Sequence, residues 1–255
     1  MSSRRSGRGC EDSCRGSRRK PSSIARGTKA MAEPEPPVFA ERPTEPIVPD
    51  AWRLAALPLG MALAFLLARS SWTLLWLGLA GFVLAFFRNP QRNIPGDERA
   101  VVSPADGRVI AVGEVEDGDG SKRLRIGIFL SIFNVHVNRA PVAGRVVEIV
   151  RSGSQYLAAF NLDAERLNVS CSLTLETARG ERVRVVQTTG FIARRIVCHP
   201  RIGEWIRRGD RYGLIRFGSR TDVLLPPGAR PRVGVGDRVR GGSSIVAELS
   251  SGGGS

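Results

Sequence analysis

Two nearly uninterrupted apolar stretches stand out along the chain. Residues 54–68 and residues 72–87 contain no charged side chain, and only the short segment 69–71 separates them. Helices of soluble proteins carry a polar stripe, and these stretches show almost none. Each is shorter than the roughly 20 residues that cross a bilayer upright. The pattern predicts a hydrophobic membrane hairpin over residues 51–92, either thin or partly interfacial, with a buried hairpin of a soluble protein as the alternative.

After Asn93 the pattern changes to short runs rich in β-branched residues and separated by Gly, Pro and Asp. Such runs are typical of strands joined by tight turns. They predict strands at residues 101–102, 108–112, 124–130, 144–150, 172–176, 183–187, 212–217 and 223–225. Residues 157–167 leave room for a helix. The predicted fold class is therefore mainly β, with one domain over residues 93–249.

Two segments share the form Gly-x-x-apolar-x-x-Gly, namely residues 203–209 and 236–242. Their glycines permit positive φ at tight corners, and we expect the central Ile206 and Val239 to point inward. With the turn at 103–107, these segments resemble the turns of biotinyl and lipoyl carrier domains. No lysine occupies the turn to carry a cofactor. We therefore expect a barrel-sandwich-like domain without a carrier function.

The net charge of +14 is unevenly distributed. Nine Lys and Arg fall in the first thirty residues against only Glu11 and Asp12. This composition predicts a disordered tail over residues 1–50, basic at first and then rich in Pro and Glu, and residues 250–255 form a flexible Ser/Gly tail. Nucleic-acid binding needs basic residues together with stacking aromatic residues, and many of the aromatic residues lie in the apolar stretches. Only the basic tail is left as a binding surface, so we expect no nucleic-acid partner.

Four short sequence strings occur in a fixed order after the first apolar stretch. They are Phe-Arg-Asn-Pro at 87–90, Ser-Pro-Ala-Asp-Gly at 103–107, Phe-Asn-Val-His-Val-Asn-Arg-Ala-Pro at 133–141 and Arg-Phe-Gly-Ser-Arg at 216–220. Together they resemble the short bacterial form of phosphatidylserine decarboxylase, over about residues 52–249. The resemblance implies a proenzyme of phospholipid biosynthesis that converts phosphatidylserine to phosphatidylethanolamine and CO2.

The resemblance further implies self-cleavage between Gly218 and Ser219. A β chain of residues 1–218 and an α chain of residues 219–255 then form a heterodimer. Whether heterodimers assemble into a higher oligomer is left open by the sequence. The cofactor is a covalent pyruvoyl group made from Ser219, which forms a Schiff base with the substrate amine. No metal and no pyridoxal phosphate are expected, since the sequence shows neither a cysteine or histidine cluster nor a Gly-rich phosphate loop.

The Gly218–Ser219 bond suits this chemistry because glycine leaves its carbonyl open to the serine hydroxyl. Attack gives an ester, elimination gives dehydroalanine, and hydrolysis leaves a pyruvoyl group and ammonia. The hydroxyl needs a base. Of the two histidines, His136 follows an apolar run, whereas His199 precedes Pro200 in a turn, so His136 is the predicted base.

Asp106 is expected to orient the imidazole of His136 and stabilise its charged form. Whether His136 acts in self-cleavage, in decarboxylation or in both is open. Arg139 stands where long-form relatives carry another histidine, and it is a candidate to hold the substrate phosphate or carboxylate, with a solvated surface arginine as the alternative. A second Gly-Ser bond at Gly242 is the weaker cleavage site, since cutting there releases only the low-complexity end.

The lipid substrate lies in a bilayer, which accounts for the apolar stretches. Arg53 and Arg88 flank them and favour a catalytic domain on the cytoplasmic face of the cell membrane. A non-catalytic adaptor at a membrane is the competing reading, and it requires the chain to stay intact through Ser219.

Overall fold

The computed structural model describes residue 39 and residues 45–117, 120–154, 168–190, 196–215 and 219–250. Most of the predicted basic tail, the predicted helix at 157–167 and the last five residues lie outside this set. Residues 45–50 lie inside it: the Val48 amide donates to the Phe87 carbonyl at 3.0 Å, and Val48 is buried. Val48, near the end of the predicted tail, thus packs against the residue that follows α2.

Two helices lie in the two apolar stretches, α1 over Pro49–Leu67 and α2 over Trp72–Phe86, and they pack against each other. Pro49 suits the start of α1 because its ring fixes φ near the helical value. The amide hydrogen that proline lacks would have no hydrogen-bond partner in the first turn. Leu57, Leu67 and Leu74 are more than two-thirds exposed. Among the described residues, no helix is both long enough and apolar enough to reach across a bilayer.

The remainder of the described chain is built of strands, which confirms the mainly β class. All eight runs predicted from the sequence coincide with strands or overlap them. The fourteen strands of the described residues are β1 Ala100–Val102, β2 Gly107–Glu116, β3 Lys122–Leu130, β4 Val137–Arg139, β5 Gly144–Ser152, β6 Ser170–Glu176, β7 Arg182–Thr189, β8 Ile196–Cys198, β9 Trp205–Ile206, β10 Arg211–Ile215, β11 Ser219–Leu225, β12 Arg230–Pro231, β13 Arg238–Val239 and β14 Ile245–Glu248.

An eight-stranded sheet curled into a half-barrel forms the body of the fold, in the order β13-β2-β3-β11-β7-β6-β5-β9. Its neighbouring strands are antiparallel. Alternate residues of these strands, such as Ile126, Ile128 and Leu130 of β3, enter the main apolar core. Two smaller sheets, β1-β14-β12 and β4-β10-β8, complete the structure.

The two Gly-x-x-apolar-x-x-Gly segments occupy equivalent places, at opposite edges of the large sheet. Ile206 and Val239 are buried as predicted, and they belong to the two-residue strands β9 and β13. The flanking glycines all have positive φ, a conformation that L side chains rarely adopt. The segments are therefore corners that each supply one short edge strand.

Two glycines of β2 differ in what surrounds them. A Cβ at Gly107 would lie 2.1 Å from the Phe129 carbonyl oxygen, whereas a Cβ at Gly113 would meet nothing within 4 Å. We expect Gly107→Ala to lower the free energy of unfolding by about 2 kcal/mol or more, since β2 and β3 must separate. Gly113→Ala serves as the control and changes stability by less than about 1 kcal/mol. Urea unfolding of both variants measures the difference, and equal stabilities contradict the close packing at Gly107.

Candidate active site

Ser219 is the first residue of β11 and is held on both sides by backbone pairing. It is opposite Leu130 of β3 and Thr189 of β7. The residue is fully buried, and its hydroxyl oxygen has no hydrogen-bond partner among the described residues. Buried polar atoms are nearly always paired, and an unpaired one calls for a functional explanation. Gly218, on the acyl side of the predicted cut, lies outside the described residues.

His136 lies between a tight turn and β4. The turn is fixed by the Asn134 side-chain oxygen, which accepts from the Ser131 amide at 2.9 Å and the Ser131 hydroxyl at 2.7 Å. Nδ1 of His136 donates to the Asn134 carbonyl at 2.9 Å, because a carbonyl oxygen only accepts. The ring stacks on Phe86 at the end of α2, with centroids 4.0 Å apart.

Burial and this hydrogen bond together define the chemical state of His136. Burial, opposed by the bond to Asn134 and assisted by the charge of Arg88, lowers the pKa of His136 from 6.5 to about 4. The imidazole is therefore neutral at pH 7 with its proton on Nδ1. Nε2 is buried and has no partner among the described residues. Its lone pair is available to accept a proton, as a general base requires.

Two short chain segments connect Ser219 with His136. The Ile215 amide donates to the His136 carbonyl at 3.3 Å, and Ile215 precedes Ser219 by four residues, which span at most about 14 Å. From the other side, Leu130 pairs with Ser219 and precedes His136 by six residues. The sheet thus places the candidate nucleophile and the candidate base in one region.

Asp106 has different partners from those expected. Its carboxylate accepts from Arg92 at 2.7 and 3.0 Å and from the Gly241 amide at 2.7 Å. Across the described residues, no hydrogen bond joins Asp106 to His136. The expected orientation of the imidazole by Asp106 is not seen, because the Asn134 carbonyl already takes the Nδ1 proton and Arg92 takes the carboxylate.

Arg139 is likewise committed to the protein. Its guanidinium donates to the Gly209 carbonyl at 2.9 Å, to the Asn89 side-chain oxygen at 2.6 Å and to the Pro90 carbonyl at 2.8 Å. Burial, the largest cause, lowers the pKa of Arg139. The side chain therefore ties the segment after α2 to the β domain, and its contact with the substrate phosphate or carboxylate stays a prediction.

A buried polar chain beside Ser219 escaped the sequence analysis. Gln187 of β7 donates to the Asn138 side-chain oxygen at 2.8 Å, and the Asn138 amide donates to the Thr221 hydroxyl at 3.3 Å. Thr221 lies two residues after Ser219 and so shares its face of β11. Two features of the sequence could have indicated these residues: Gln187 is a single glutamine within a β-branched run, and Asn138 is the second Asn of the string at 133–141.

The remaining candidates from the sequence are occupied elsewhere. Nε2 of His199 lies 3.2 Å from an Arg211 guanidinium nitrogen. Ser243 lies in a turn whose backbone bonds run from Gly242 to Ser103 and from Ser243 to Arg240. In the part of the chain that the structure describes, no group of three or more His, Cys, Asp or Glu side chains is arranged to hold a metal.

Comparison with known proteins gives a consistent result. A model of the phosphatidylserine decarboxylase family matches residues 79–247. The phosphatidylserine decarboxylase proenzyme of Geotalea uraniireducens (strain Rf4) is 52% identical over 169 residues, 66% of this chain and 79% of the relative. The proenzyme of the same name from Paraburkholderia xenovorans (strain LB400) is 47% identical over 180 residues, 70% and 84% of the two chains.

These matches, with a buried serine and a neutral imidazole in one region, define an enzyme of the carboxy-lyase class. The chain belongs to the phosphatidylserine decarboxylase family.

The neutral state of His136 has a consequence for stability. The unfolded chain takes up a proton near pH 6.5, whereas the folded chain does so only near pH 4. Stability from this residue is therefore complete above pH 6.5 and declines as the pH falls toward 4, by up to about 3 kcal/mol. We expect His136→Gln to remove this part of the pH dependence. Urea unfolding between pH 7 and pH 4.5, with Ser219→Ala in both proteins to keep one chain, measures it. Identical pH profiles with and without His136 contradict a buried neutral imidazole.

Proposed function

We propose that this chain is a self-cleaving proenzyme that converts phosphatidylserine to phosphatidylethanolamine and CO2, in phospholipid biosynthesis, by means of a pyruvoyl group made from Ser219. The observation that carries the proposal is the buried Ser219 hydroxyl without a partner, in the same region as an imidazole whose Nε2 is also without one. The relatives named phosphatidylserine decarboxylase proenzyme supply the substrate and the precursor state.

Self-cleavage begins when Nε2 of His136 takes the proton from the Ser219 hydroxyl. The oxygen attacks the Gly218 carbonyl, the bond from that carbonyl to the Ser219 nitrogen breaks, and the nitrogen leaves as a free amine. An ester now joins Gly218 to the Ser219 oxygen. Backbone pairing with β3 and β7 holds Ser219 in place while this exchange occurs.

Removal of the Ser219 α-proton then expels the Gly218 carboxylate and leaves a dehydroalanine amine. This tautomerises to an imine, and one water replaces its nitrogen, which leaves as ammonia. The new chain end is a pyruvoyl group. The position of Ser219 fits such a group, since it is fully buried and keeps the new carbonyl and its methyl group from bulk water.

The pyruvoyl group supplies a carbonyl that joins the substrate amine and accepts the electron pair released as CO2 leaves. His136 is suited to both stages because burial makes its protonated form costly. An imidazolium formed at Nε2 gives up its proton readily, first to a departing amine and later to the carbon from which CO2 has left. The same nitrogen atom then acts in self-cleavage and in decarboxylation.

The sheet explains how the two fragments remain together as a heterodimer. A cut before Ser219 puts β11 to β14 in the α chain. β11 lies inside the large sheet between β3 and β7, while β13 pairs with β2 and β14 pairs with β1. Each contact joins the α chain to the β chain, so the enzyme retains its fold after the cut.

Membrane attachment belongs to the same proposal, with the catalytic domain on the cytoplasmic face of the cell membrane. The exposed leucines of α1 and α2 form an apolar surface that suits the acyl chains of a bilayer. Phe133 is 74% exposed, and its carbonyl accepts from Arg88 at 2.9 Å just beyond α2. The turn that holds His136 is therefore next to the proposed lipid-facing surface. We infer that the helices rest in the interface and bring the site to the lipid head groups.

Intact mass analysis of the purified protein tests the self-cleavage. We expect two chains, with the smaller one beginning at position 219 and lacking a free amine, and one uncut chain for Ser219→Ala. Ser243→Ala is the matched control at the other Gly-Ser bond and should be cut like the parent. A continuous parent chain that still releases CO2 from phosphatidylserine would overturn the mechanism.

Flotation with vesicles of phosphatidylserine and phosphatidylcholine tests the attachment. We expect the double variant Leu67→Ser/Leu74→Ser to lose at least half of the floating fraction, because it removes two exposed apolar side chains from the helices. The control is Ile202→Ser/Val235→Ser, which removes two similarly exposed side chains from the β domain. Equal flotation of the two double variants excludes the helices as the attachment surface.

A further inference from the structure

Three arginines surround one cavity next to the candidate active site. Arg108 of β2, Arg238 of β13 and Arg240, which follows β13, line a cavity of about 590 Å³. We call this cavity the arginine pocket. All three residues are exposed at the surface of the described chain. A cluster of like charges around a concavity raises the local concentration of anions.

The charges of the arginine pocket are uncompensated. Elsewhere in the β domain, arginines such as Arg232 are paired with carboxylates. No ion pair within the described residues involves the three pocket arginines. One acidic side chain, Asp106, is present among the lining residues, and Arg92 and the Gly241 amide occupy its carboxylate. The pocket therefore carries net positive charge.

Strand pairing brings two of these charges face to face. Arg108 and Arg238 are directly opposite each other in the antiparallel pair of β2 and β13. Like charges at such positions lie about 5 Å apart at their Cβ atoms and destabilise a sheet. An anion held between the two guanidinium groups removes that repulsion. The pairing is thus unfavourable in an empty pocket and favourable in an occupied one.

The arginine pocket borders the segments that carry the proposed chemistry. Phe129 lines it, and the next residue, Leu130, pairs with Ser219. Asn134 also lines it, and its carbonyl holds the imidazole of His136. A ligand in the pocket therefore contacts the residue next to Leu130 and the turn that holds His136.

We propose that the arginine pocket binds the phosphate of the substrate head group, an inference that rests on the proposed function. Guanidinium groups bind phosphate oxygens through paired hydrogen bonds, and arginine is suited to this geometry. In phosphatidylserine the phosphate is joined to the serine whose amine and carboxylate react. Holding the phosphate at this cavity fixes the head group beside His136 and Ser219. Inorganic phosphate presents the same oxygens, so the two sources must be compared directly.

Steady-state kinetics on detergent micelles of phosphatidylserine tests the pocket. In Arg108→Gln/Arg238→Gln/Arg240→Gln we expect KM to rise at least tenfold and kcat to fall less than threefold. The control Arg145→Gln/Arg201→Gln/Arg230→Gln removes three exposed arginine charges elsewhere, and its KM should stay within twofold of the parent. Equal KM values for the two triple variants overturn the proposal. Should the pocket variant not divide into two chains, Arg238→Gln and Arg240→Gln are measured singly, with a threefold rise in KM expected from each.

Calorimetry separates this proposal from the proposed function because it needs no turnover. Uncut Ser219→Ala protein, with and without the three pocket substitutions, is titrated with glycerophosphoserine and with inorganic phosphate. We expect the pocket substitutions to weaken glycerophosphoserine binding at least tenfold and the intact pocket to bind inorganic phosphate at least tenfold more weakly. Equal affinity for both ligands identifies a free-phosphate site and rejects the head-group assignment. A parent without decarboxylase activity refutes the proposed function, while the titration still decides the pocket.

Discussion

The hydrogen-bonded ladder that holds β11 between β3 and β7 is the constraint on which the site depends. It fixes the backbone of Ser219 from both sides and removes the hydroxyl from solvent. A serine at a free loop end has many orientations, and its hydroxyl is hydrogen-bonded to water. Here the hydroxyl begins in a defined place without a competing partner. Folding has therefore already fixed the position of the candidate nucleophile, and the reaction does not incur this loss of entropy again.

The imidazole depends on a second constraint, a single backbone carbonyl. The Asn134 carbonyl selects the tautomer of His136, and Phe86 and the surrounding apolar residues keep the ring neutral. This arrangement differs from a triad in which a carboxylate supports the histidine. A carboxylate favours the charged ring, whereas here burial outweighs the opposing bond to the Asn134 carbonyl and favours the neutral ring. This arrangement suits the proposed role of His136 as a base that returns its proton quickly.

Much of the fold could be predicted because its signals are local. Runs of β-branched residues marked the longer strands, and paired glycines marked the two corners that became β9 and β13. The short strands β4 and β8 were missed, because three-residue strands in a separate sheet are defined by long-range pairing with β10. The proposed roles of Ser219 and His136 come from motifs and stay predictions, while the structure places the two residues in one region.

The partners of these residues could not be predicted in the same way. Asp106 and Arg139 lie in informative strings, but a string does not show which neighbour a side chain will meet. Arg92 and Pro90, which follow α2 closely in sequence, fold back to contact Asp106 and Arg139. Asn138 and Gln187 were missed for a related reason: 49 residues separate them, and only the packing of the two sheets joins them.

Under the proposed self-cleavage, the central position of β11 also affects how the cut enzyme survives unfolding. The precursor folds as one chain, so closing the large sheet is a unimolecular event. After the proposed cut, a strand from the middle of that sheet belongs to a separate polypeptide, and denaturation releases it into solution. Reassembly then depends on protein concentration, and it must recover a terminus that no longer contains the original serine. Under this proposal the cut enzyme is not regenerated once it has unfolded. Its lifetime is therefore set by the rate at which the large sheet first unfolds.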